Sequence, residues 1–121
     1  MNYMQTESFP KIQLNFNSSS FDEALLDALD QTFSKLGEGV KQKFYFLLDV
    51  NFKISKENIP DEIGDFVYAL ESIFGASASL LEMDVMKTLR QNVPSFTYVE
   101  EIPEISFEGY LFSLKQYIES I

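Results

Sequence analysis

Apolar side chains recur at three- and four-residue intervals along most of this chain, and at two-residue intervals only near its start. Phe21, Leu25, Ala28, Leu29, Phe33 and Leu36 fall on one side of a helical wheel, with Asp22, Asp27 and Asp30 on other faces. Ser20 stands ahead of this stripe as an N-cap, Glu23 completes a capping box, and Gly37 ends the helix. Over 38–52 the apolar content rises: Val40, Phe44, Leu47 and Leu48 form a face, flanked by Phe46 and Val50 on one side and Tyr45 on the other. A helix apolar over so much of its circumference is expected at the centre of its domain. The aromatic run at 44–50 also suits a strand, so both readings stay open there.

A connector at 53–60 ends in Pro60, which is suited to the first turn of a helix. Asp61, Glu62 and Asp65 then complement the helix dipole. Ile63, Phe66, Val67, Leu70, Ile73 and Phe74 make the cleanest stripe in the chain, and Gly75 stops it. A fourth helix is predicted from a cap at Ser77 to Asn92, facing inward with Ala78, Leu81, Val85, Leu89 and Val93. Pro94 closes it, and 95–101 reads as a short strand. Ser106 caps a last helix with the stripe Phe107, Tyr110, Leu111, Leu114, Tyr117, Ile118 and Ile121. The two-residue alternation is at 11–16, where Ile12, Leu14 and Phe16 share one side of a strand. The fold class is therefore mainly α: about five helices, with two short strands pairing as a ribbon, since a lone strand leaves its backbone groups unpaired. Residues 1–19 read as a tail with a short strand, and 20–121 as a single helical domain.

Four large residues fall off these stripes. Tyr68 leaves the third, Leu80 and Met83 leave the fourth, and Phe112 leaves the last. Either neighbouring helices cover them or they form a partner-binding surface, and the second reading marks Tyr68, Leu80, Met83 and Phe112 as candidate site residues.

Charge and composition narrow the chemistry. With 19 acidic and 9 basic residues among 121, the net charge is -10. That opposes binding to nucleic acid and to anionic membranes, and it suits a solvated surface or a basic partner. The chain has no Cys and no His, so thiolate catalysis, disulfides and the commonest general base are excluded. The start of the chain has neither a basic region nor an apolar core of the secretory kind, and the densest apolar run, 44–48, is far too short for a membrane span. A cytoplasmic location is expected.

Three motifs invite chemistry and fall short. Gly75-Ala76-Ser77-Ala78-Ser79 lacks the second Gly and the Lys of a phosphate loop and the final Gly of a hydrolase elbow. The alternating polar residues from Asp49 to Glu57 resemble a calcium loop, yet Ile54 stands where Gly is needed and Pro60 where Glu is needed. The carboxylate groups Asp27/Asp30, Asp61/Glu62/Asp65 and Glu100/Glu101/Glu104 fit solvated faces better than an acid-base pair, because none has an apolar setting that would raise a pKa. No catalytic, metal or cofactor residues are assigned, and no cofactor is expected.

Leu36-Gly37, Val40-Lys41, Tyr45, Leu48, Ile54, Ile59-Pro60, Phe66, Ala69-Leu70-Glu71, Ile73-Phe74-Gly75, Leu81-Glu82 and Leu89 come in a familiar order. Over about residues 21–89 the chain resembles a small helical output-domain family of archaeal signal-transduction proteins. The resemblance implies a regulatory or interaction role in an archaeal cytoplasm, and it supplies no catalytic motif. The chain differs from that pattern at both ends, which carry the expected strands and the last helix. The expectation is a non-catalytic protein-interaction or regulatory module, not an enzyme, with a protein partner or self-association and with neither nucleic acid nor membrane as partner. The alternative is a small-molecule or divalent-cation binding protein, or an enzyme subunit using surface carboxylates.

Overall fold

The apolar stripes become five α-helices in a computed structural model, which describes residues 18–96 and 106–120. They are α1 (Ser18–Ser34), α2 (Glu38–Phe52), α3 (Ile63–Phe74), α4 (Ala78–Asn92) and α5 (Phe107–Glu119), with short 3-10 turns at Lys56–Asp61 and Gly75–Ser77. Among the described residues there is no strand. The segment expected to form the first strand, 11–16, lies outside the described residues, as do 97–101 of the second. Ser95 and Phe96 belong instead to a turn: the Phe96 amide donates to the Val93 carbonyl at 3.1 Å, and Tyr117 Oη donates to Ser95 Oγ at 2.7 Å.

α2, α4 and α5 each pack against both α1 and α3, and so bridge them. Phe21, Leu25, Ala28, Leu29 and Phe33 of α1 are fully buried, as are Phe66, Ala69 and Leu70 of α3. One end of the core is aromatic. Phe33 stacks on Phe44 with ring centroids 4.4 Å apart, and Phe74 lies 5.8 Å from Phe33 and 5.7 Å from Phe44. This cluster ties α1, α2 and α3 together, each ring pair adding about 0.5–1.5 kcal/mol beyond area burial.

The segment 44–50 is helical throughout, which resolves the helix-or-strand question. The expectation that α2 is central is corrected. Only Phe44 and Leu48 are buried, while Val40, Phe46 and Val50 face outward. The helix touches α1 and α3 on one side, and among the described residues no third α-helix packs against it. Leu36 also leaves the expected core stripe: α1 ends at Ser34, so Leu36 sits in the turn and is exposed.

Helix boundaries shift for local reasons. α1 begins at Ser18, which puts Ser20 inside the helix and removes its expected capping role. All three serines lie within the helix, and nothing in a run of like side chains marks which of them the helix takes in. Pro60 lies buried in the first 3-10 turn and α3 starts at Ile63. The fixed φ of a proline suits that turn as well as a helix start. Ser106 does cap α5, accepting from the Gly109 amide at 2.8 Å. Gly75 ends α3 with φ 58 and ψ −132, a conformation that favours glycine. Ser77 follows in a helical conformation without a side-chain cap bond, so the bend at this corner is made by Gly75. By length and composition alone Ile63–Asn92 is apolar enough to cross a membrane. The chain bends at Gly75 within that run, and Phe66, Leu70, Val85 and Leu89 enter the core.

Candidate functional site

All four off-stripe residues are exposed: Tyr68 and Leu80 by 69% and 70%, Met83 by 60% and Phe112 by 46%. The fold does not gather them into one patch. Leu80 and Met83 stand together on the outer side of α4 and border an open groove of about 1080 Å³ among the described residues. Tyr68 belongs to α3 and meets the Phe52 ring edge-on at 6.4 Å, while Phe112 is on α5. Neither lines the groove.

The groove follows α4. The end of α1 and the turn after it supply Thr32, Lys35 and Leu36 on one side, and Pro94, Phe96 and Tyr110 also line the groove. Leu80, Met83, Lys87 and Arg90 recur at helical spacing and form a single stripe of α4, apolar in its first half and basic in its second. Met83 and Met86 add flexible thioether side chains able to conform to different partners. Lys35 Nζ reaches Asp84 at 3.0 Å and pins the end of α1 to α4. Thr32 is buried, and its hydroxyl has no hydrogen-bond partner among the described residues.

The carboxylate groups take separate roles. Asp27 accepts from Gln31 at 2.8 Å. Asp30 is half-buried and accepts from Tyr45 Oη at 2.8 Å and from Lys56 Nζ at 2.9 Å. Burial alone would raise its pKa, but the hydrogen bonds from Lys56 and Tyr45, with the charges of Lys56 and Lys41, bring it below the usual carboxylate value. Burial, followed by the bond to Asp30, pushes the Tyr45 phenol upward. This trio braces α1, α2 and the first 3-10 turn. Asp61 is 3.9 Å from Lys115 Nζ. Glu100, Glu101 and Glu104 lie outside the described residues. No group of three or more metal-ligating side chains occurs among the described residues.

One carboxyl pair escapes the sequence patterns. Across the corner at Gly75, Glu82 of α4 comes beside Glu71 of α3. Glu82 Oε2 is buried and meets no donor among the described residues. Burial first, then the hydrogen bond and charge of Glu71, push the Glu82 carboxyl up to about 7. Protonated, Glu82 supplies the missing donor itself and its O–H donates to Glu71. The two residues are eleven apart and share no spacing motif; their only sequence clue is that they flank the predicted corner. The other feature missed in the sequence is the outward face of α2, with Val40, Phe46 and Val50.

Comparisons with protein-family models, with curated proteins and with solved structures find no match.

Proposed function

We propose that this protein is a non-catalytic interaction module that binds a protein partner along the α4 groove. The observation that carries the reading is the position of Leu80 and Met83. Both are more than half exposed, and they border a groove of about 1080 Å³ whose other walls are mainly apolar. Large apolar groups gathered around a groove with a charged rim are the usual mark of a docking surface. The lack of His and Cys leaves few groups for nucleophilic or acid-base work. The resemblance over residues 21–89 adds a regulatory, output-like role in an archaeal cytoplasm to this proposal.

Site-specific photo-crosslinking in the native cell tests it. A photoreactive residue at position 80 or 83 is expected to capture one recurrent protein, or a second copy of the chain, that a probe at exposed Glu57 does not capture. Identical products from positions 57, 80 and 83, or none from 80 and 83, would overturn the proposal.

A further inference from the structure

We infer that the α4 groove recognises an amphipathic helix of about three turns, apolar on one face and acidic in its first turn, lying antiparallel to α4. This rests on the proposal that the groove is a binding surface and adds the chemistry of its occupant. The inference starts from charge. The chain is strongly acidic, with only 9 basic residues in 121. Three of them, Lys35, Lys87 and Arg90, nevertheless line this one groove. Lys35 is engaged by Asp84. Lys87 and Arg90 are exposed and form no ion pair among the described residues. They stand one turn apart, which concentrates positive charge at one end of an otherwise apolar floor.

Length and polarity complete the description. Leu80 to Arg90 spans about 15 Å of helix axis, which matches three turns of a partner helix anchored at i, i+3 or i+4, and i+7. Apolar anchors would meet Leu36, Leu80 and Met83, and acidic groups would meet Lys87 and Arg90. Negative side chains are favoured in the first turn of a helix, and α4 ends beside Arg90 with its own carbonyl groups. Antiparallel seating therefore sets the acidic first turn of the partner at the basic end of the groove, with the two helix dipoles opposed.

Binding of synthetic peptides to the purified full chain, read by fluorescence anisotropy, tests the inference. The first probe is a capped 14-residue helical peptide with a leucine face and three glutamates in its first turn. The second replaces those glutamates with lysines, and the third probe is laurate, a small amphiphilic anion. The overall charge of -10 draws the lysine peptide nonspecifically, so preference for the glutamate peptide reports the groove itself. That preference is expected to be about tenfold, and to reverse in Lys87→Glu/Arg90→Glu. Leu80→Asp/Met83→Asp should abolish binding of the glutamate peptide. Both of these side chains are exposed, and circular dichroism confirms that each variant keeps its helices. Equal or tighter binding of the lysine peptide, binding indifferent to positions 80 and 83, or displacement of the glutamate peptide only by changes outside the groove would overturn the inference. So would laurate binding without peptide binding, which would mark a small-amphiphile site. Crosslinking at positions 80 and 83 separates the two levels: specific capture there with no acidic preference removes this inference and leaves the interaction module standing.

Discussion

Replacing Glu82 with Gln tests whether the α3–α4 corner holds a shared proton. In the fold the Glu82 carboxyl ionises at about 7, against its ordinary 4.5. The native state therefore binds this proton more tightly than the unfolded chain does. The resulting stabilisation is complete below about pH 4.5, declines as pH rises, and is lost above about 7. Tenfold in proton affinity corresponds to about 1.4 kcal/mol, which sets a ceiling of about 3 kcal/mol. Solvent reaches part of the pair, and screening reduces the expected effect to about 1–2 kcal/mol. Gln keeps the shape and an N–H that donates to Glu71 at every pH. Urea unfolding from pH 4.5 to 8 should show the native chain losing about 1–2 kcal/mol relative to Glu82→Gln across that interval. Asp22, raised by burial and then by Asp61, and Asp30, lowered by its partners, are common to both proteins and cancel in the difference. Parallel stability curves for the two would refute the reasoning, because Glu82 would then ionise in the fold as it does in the unfolded chain.

Three further outcomes follow from the packing and the caps. Phe33→Ala removes a fully buried ring stacked 4.4 Å from Phe44, and should lower unfolding free energy by about 3–5 kcal/mol in urea titration. Gly75→Ala puts a Cβ into open space at φ 58, so its expected cost of about 1–3 kcal/mol is conformational, and calorimetry should show a lower Tm without loss of helix content. Ser106→Ala leaves the Gly109 amide without the oxygen now at 2.8 Å; about 1 kcal/mol of stability should be lost, with hydrogen exchange faster in the first turn of α5.

Much of the fold is legible in local order. The stripes of α1, α3 and α5 place Leu25, Phe66 and Leu114 inside without any knowledge of neighbours, because a helix turns its side chains by a fixed angle per residue. The stop at Gly75 is legible for a similar reason: positive φ is a property of one residue. The candidate site is legible only in part. Leu80 and Met83 are marked by their departure from the stripe, but the pattern does not distinguish them from Tyr68 and Phe112, which lie away from the groove.

The amino-acid order by itself determined a mainly helical chain, its inward faces, the glycine stop and a chemistry without His or Cys. These follow from periodicity, backbone sterics and composition, all of which act within a few residues. Tertiary structure decided what those faces meet. Among the described residues it left Val40, Phe46 and Val50 of α2 exposed despite the apolar circumference of that helix, set Lys35 against Asp84 across 49 positions, joined Glu71 to Glu82, and aligned the end of α1 with the outer stripe of α4 to form the groove. The physical reason is that burial and electrostatic environment depend on which distant segments come together, and a helical wheel records only the direction in which a side chain points.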